Sequence, residues 1–274
     1  MTAGGAESQN SAPLASAMED CGSAQELEGR PLKCFMGLRF LDQSLGEVAD
    51  LIVNAAKSGA RRQLFFVNAH CVNIAAENAD YAMLLHKAPF VLPDGVGIAI
   101  AARIWGSKIC NNLNGTDLFP ELCRRAAATG ISIAFLGGRQ GIAAECARLM
   151  VARYPGLQIV WVGHGYLSPA EEAQLIPELN ASGASLLFVA KGVPTQEIWI
   201  RDNAPDLDIS ILIGVGALFD FYSGAMPRAP VFLRKLRLEW LFRLFMEPAR
   251  MFKRYVIGNP QFIIRTIRQR IVGH

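Results

Sequence analysis

Ser185-Leu186-Leu187-Phe188-Val189-Ala190-Lys191-Gly192-Val193-Pro194-Thr195-Gln196-Glu197 decides the fold class. After Ser185 the run is apolar without alternation, and it stops at Lys191-Gly192. A strand apolar on both faces belongs inside a parallel sheet covered by helices. Pro194 then suits the start of a helix. The same unit recurs along the chain. Further strands are expected at Gln63–Asn68, Pro89–Pro93, Ile131–Leu136, Gln158–Val162 and Ser210–Gly214. Helical periodicity fills Leu45–Ala60, Val72–Lys87, Val96–Trp105, Asp117–Thr129, Gly141–Tyr154, Pro169–Ala181 and Thr195–Asn203. Such alternation predicts an α/β fold: a Rossmann-like, mostly parallel sheet with helices on both faces.

Composition bounds the rest. A chain of 274 residues, 51% hydrophobic and 19% charged, is long enough for one large core with an appendage. Its cysteines form no CxxC pair, which reads as reduced thiols and neither a disulfide framework nor a zinc site. No apolar run approaches the roughly 20 residues of a membrane span. No signal-peptide pattern opens the chain. Residues 1–32 are rich in Ala, Gly, Ser and Glu and are expected to be a disordered tail. Residues 33–227 are expected to form the Rossmann-like domain, and 228–274 a basic, aromatic helical appendage.

That appendage carries eleven Lys or Arg against two Glu, Glu239 and Glu247. Arg228, Arg243, Arg250 and Arg254 alternate there with Trp240, Phe242, Phe245 and Phe252. Basic residues among large apolar ones at helical spacing suit an anionic membrane surface or a phosphorylated ligand. A helical pair packed on its own domain explains the pattern equally well, with Arg stems covering apolar surface.

In parallel α/β sheets, ligands bind at the carboxyl ends of the strands. Leu92-Pro93-Asp94-Gly95 puts a carboxylate there. Asp94 could act as a general base or simply cap a helix. Leu136-Gly137-Gly138-Arg139-Gln140-Gly141 could bring backbone amides to a diphosphate or be a plain tight turn. It lacks the first Gly of a dinucleotide fingerprint. Gln196 and Glu197 fall in a first helical turn, facing the cleft or capping the helix. Gly165, in Gly163-His164-Gly165-Tyr166, lies at the same edge.

The ordered set Pro93-Asp94-Gly95, Asn114-Gly115-Thr116-Asp117, Leu136-Gly137-Gly138, Gly163-His164-Gly165-Tyr166, Gly192-Val193-Pro194-Thr195-Gln196-Glu197, Arg228-Ala229-Pro230, Leu238-Glu239-Trp240 and Arg254-Tyr255 resembles the WecG/TagA/CpsF family of bacterial glycosyltransferases. The resemblance covers roughly residues 35–260. It implies an inverting transferase that moves a sugar from a UDP-sugar to a polyprenyl-diphosphate-linked sugar, peripheral on the cytoplasmic face of the bacterial inner membrane. Asp94 matches the family's proposed general base. Asn68 and Gln196 match ligand-side residues. Gly137, Gly138, Gly141, Gly165 and Glu197 join them as expected donor contacts. Arg228, Trp240, Arg243, Arg250 and Arg254 would serve the lipid acceptor and the membrane. No Asp-x-Asp motif stands out, so a metal-independent reaction without a cofactor is expected. No nucleic-acid partner is expected. Apolar surface near Trp240 and Phe245 would serve a homo-oligomer interface as readily as a membrane.

Two departures stand out. Phe66-Val67 replace a Thr-Pro before Asn68, and Asn111-Asn112 replace a Glu-Arg. The second removes a cation that could face phosphate. It points to a sugar other than N-acetylmannosamine, such as glucose in xanthan-type exopolysaccharide assembly. It also keeps a non-catalytic scaffold of a polysaccharide assembly complex as an alternative. A nucleotide-dependent oxidoreductase is a weaker one, because the glycine fingerprint is broken.

Overall fold

The structure is a computed structural model. It describes residues 26–272 apart from 28, 231, 234, 235 and 237. In chain order the elements begin β1 (Glu26–Leu27), β2 (Arg30–Phe35), β3 (Leu38–Leu41), α1 (Leu45–Ser58), β4 (Arg62–Val67), α2 (Ala69–Ala75), α3 (Ala79–Lys87), β5 (Leu92–Pro93) and α4 (Val96–Ile104). They continue with α5 (Gly115–Thr129), β6 (Ser132–Gly137), α6 (Ile142–Arg153), β7 (Gln158–Gly163), α7 (Pro169–Ala181), β8 (Leu186–Ala190), α8 (Thr195–Asn203), β9 (Ile211–Gly214) and α9 (Leu218–Tyr222). The chain closes with α10 (Glu239–Met246), α11 (Pro248–Met251), a π-helical turn (Phe252–Ile257) and α12 (Gly258–Val272).

Six strands form one sheet in the order β5-β4-β9-β8-β6-β7, every neighbouring pair parallel. The α/β reading of the sequence holds. β8 explains why: all five of its residues are buried, so both faces need helices. Two cores result. Phe119, Phe135 and Phe188 fill one face in tilted and edge-on ring contacts. Val189, Leu212, Ile200 and Tyr81 fill the other.

Edges depart from that pattern. β7 is an outer strand with Val160 and Val162 exposed, so it is not buried on both faces. Of the expected Pro89–Pro93 strand only Leu92–Pro93 pairs with β4. Val91 meets β3 instead, through Leu41 N–H to its carbonyl and its own N–H to Arg39 O. The expected helix Val72–Lys87 is two helices. The Asn78 side chain accepts from Tyr81 N–H and starts α3 afresh.

Residues 1–25 of the expected tail lie outside the described residues. Its last part is ordered. β1, β2 and β3 make an antiparallel sheet, with Phe35 stacked on Phe40 at 4.4 Å. The alternation in Arg30–Phe35 is too short to separate from a polar tail by periodicity alone.

Candidate functional site

The strands end in a row. Asp94 follows β5, Asn68 follows β4, Val215 follows β9, Lys191 follows β8, Gly138 follows β6 and His164 follows β7. Asn68 caps α2, its Oδ1 accepting the N–H groups of His70 and Cys71. Its Nδ2 is thereby aimed outward and donates to Asp94 Oδ2 at 3.1 Å. The structure thus joins two expected site residues directly.

Asp94 is half-buried. Burial pushes its carboxyl above the usual carboxylate range. The Asn68 hydrogen bond and the charges of Arg243 and Arg254 pull it back, while Asp117 pushes it up. Its backbone N–H donates to Val67 O at 2.9 Å. Gly95 takes φ 87°, a left-handed backbone that favours glycine, and its N–H donates to Asn112 Oδ1 at 2.6 Å. Asn111 is tied by its N–H and its amide to Asp42. The Asn111-Asn112 departure therefore pins the turn that carries Asp94. Only the long-range contact reveals this, because Asp42 and Gly95 are distant in the chain.

Gln196 and Glu197 do not face the cleft. Gln196 is 3% exposed; its Nε2 donates to Glu197 Oε1 and its Oε1 accepts from Gly216 N–H, both at 2.8 Å. It holds the β9–α9 loop in place. Glu197 is fully buried, and its Oε2 has no hydrogen-bond partner. Burial pushes its carboxyl up to about 7. Both residues expected as donor contacts thus make their hydrogen bonds inside the domain.

The glycines divide. A Cβ on Gly137 would lie 2.3 Å from Ala190 O, and one on Gly165 3.2 Å from Gly137 Cα. Those two let β6, β7 and β8 end backbone against backbone. Gly138 N–H donates to Ala190 O and Gly165 N–H to Gly138 O. Gly141, at φ 85°, opens α6, and its turn stands exposed at the end of β6.

The C-terminal residues also divide. Arg228 is committed to Asp117 (2.5 Å) and to the Thr116 carbonyl and hydroxyl (both 3.2 Å), holding the head of α5. The residue expected at acceptor or membrane thus sits at the head of α5. Arg243 lies over the Phe221 ring at 4.5 Å and 3.9 Å from Glu239. Arg254 sits over Tyr255, whose other neighbour is Trp240, edge-on at 6.1 Å. The side chain of Arg250 lies outside the described residues. α12 packs against α2 and α4. Phe262 is 1% exposed, Asn73 Nδ2 donates to Gly258 O at 2.7 Å, and Arg265 pairs with Glu77 at 2.7 Å. No helix among the described residues is long and apolar enough to cross a membrane. Among those residues no three His, Cys, Asp or Glu side chains gather as a metal's donor set.

The sequence profile described as "Glycosyl transferase WecG/TagA/CpsF family" matches residues 33–274. A relative from Bacillus spizizenii is 29% identical over 194 residues, 71% of this chain and 74% of its own length. It is named as an N-acetylglucosaminyldiphosphoundecaprenol N-acetyl-beta-D-mannosaminyltransferase.

Proposed function

The chain belongs to the WecG/TagA/CpsF family of glycosyl transferases, and from that premise we propose an inverting transfer from a UDP-sugar to a polyprenyl-diphosphate-linked saccharide, with Asp94 as general base. The observation that carries this reading is the Asn68–Asp94 pair at the carboxyl edge of the sheet. A carboxylate raised by burial is a better base than a solvated one. Asn68 restricts which oxygen is free.

The steps balance simply. The acceptor hydroxyl gives its proton to Asp94 as its oxygen bonds to the sugar's anomeric carbon. The bond from that carbon to the β-phosphate breaks on the opposite face, and UDP leaves with the electron pair. Open amides at the head of α6 favour that anion.

The acceptor lipid diphosphate would meet the Arg243 and Arg254 side. Exposed Phe245 and Phe252 would enter the membrane interface. Each Lys or Arg near an anionic surface adds about 1 kcal/mol. This supports a peripheral protein of cell-surface polymer synthesis at the cytoplasmic membrane face. Metal independence belongs to the proposal, and turnover unchanged by EDTA is its expected mark. The Asn111-Asn112 pair, bound to Asp42 and Gly95, favours a rebuilt site with a different donor sugar, such as glucose, over a decayed scaffold.

The test is UDP release with a panel of UDP-sugars and a short polyprenyl-diphosphate monosaccharide, with and without vesicles. Acceptor-dependent release with one donor is expected. Folded protein that binds vesicles but releases no UDP with any donor would favour the scaffold.

A further inference from the structure

Lys191 stands at the carboxyl end of β8, half-buried, in the middle of the row of strand ends. Its ammonium has little to hold it. Nζ is 3.5 Å from Gly165 O, at the long limit of hydrogen bonding, and 5.8 Å from the Trp199 ring centroid. No described carboxylate lies within ion-pair reach of it. Burial pushes its pKa down, and the charge of Glu172 only partly offsets this. A half-desolvated cation held by one long hydrogen bond and a ring, with no carboxylate paired to it, favours an anion.

The surroundings suit one. Gly165 N–H reaches Gly138 O, and Gly138 N–H reaches Ala190 O, so the ammonium adjoins the turn that opens α6. There the amides of Arg139, Gln140 and Gly141 donate to no described acceptor. His164, on the neighbouring strand end, has a buried Nδ1 without a hydrogen-bond partner. In the order β5-β4-β9-β8, strands about 4.8 Å apart put β8 about 14 Å from β5 and Asp94. The acceptor hydroxyl, the sugar and the length of the Lys191 side chain fill that span between the base and a diphosphate.

We propose that Lys191 grips the diphosphate of the donor and takes up the charge that develops on the departing nucleotide. Its role rests on the donor reading given above. The open amides of the α6 turn hold the remaining phosphate oxygens. The alternative is a packing residue whose stem merely covers Trp199.

Calorimetric titration of UDP and of inorganic pyrophosphate into wild type, Lys191→Met and Lys191→Arg separates the two. Methionine keeps the apolar stem on Trp199, and thermal melts confirm that the variants fold. Lys191→Met is expected to lose at least about tenfold in affinity for both ligands. Lys191→Arg is expected to recover part of it, and kcat should follow. Folded Lys191→Met that binds both ligands like wild type would overturn the proposal. Lys191-dependent pyrophosphate binding without any UDP-sugar turnover would uphold the diphosphate site and remove the transferase reading instead.

Discussion

The two sides of the candidate site are built in opposite ways. On the sheet side, Asp94, Asn68 and Gln196 are fixed by hydrogen bonds whose partners lie in the core or its loops. On the other side, among the described side chains of 239–257, only Met251 is buried. There Phe245 is 77% and Phe252 53% exposed. What crosses the gap is charge, since Arg243 and Arg254 both act on Asp94. Position is held where burial is deep, and the adaptable contacts stand where it is shallow.

Asp94→Asn attacks the rigid side and should have the largest effect. It is expected to cut turnover about 10²–10⁴-fold with an unchanged melting temperature, read from UDP release and thermal melts. Wild-type turnover by the folded variant would remove the base assignment.

Phe262→Ala against Phe245→Ala sharpens the contrast. The first should cost about 3–5 kcal/mol in urea unfolding, because it empties a buried site packed on Gly97. The second should change stability by about 0.5 kcal/mol or less and weaken co-sedimentation with anionic vesicles. Removing 231–274 whole would also take α12 off the domain, so point substitutions are the cleaner probe.

Glu197 supplies a pH prediction from beneath the site. Its folded carboxyl titrates near 7, above the ordinary 4.5. The folded state then binds the extra proton between those values. Stability is highest below about 4.5 and falls as pH rises through 7. Glu197→Gln should flatten this loss, on the order of 3 kcal/mol, in urea melts at pH 5 and pH 8.

The smallest expected effect is electrostatic. Arg243→Ala and Arg254→Ala each remove a charge that lowers the Asp94 pKa. The acid limb of the kcat/KM profile should move to higher pH in each variant and further in the double one. An unmoved limb would separate the C-terminal segment from the chemistry.

By itself the sequence determined the parallel sheet, because continuous apolar runs such as Leu186–Ala190 alternate with stretches of helical periodicity, which cover a sheet on both faces. It also placed Asp94 at the carboxyl edge of the sheet, because a strand end is local information. Only the tertiary structure decided which side chains meet. Arg228 reads as a free cation until Asp117 is packed beside it. Glu197 reads as a cleft or capping residue until α8 turns it inward. The last basic helix shows no inward face in its sequence until Phe262 and Thr266 are buried against the domain, with Ile264, Ile267 and Ile271 left exposed. Periodicity reports the face of an element, whereas partners distant in the chain are chosen by packing, which no local window contains.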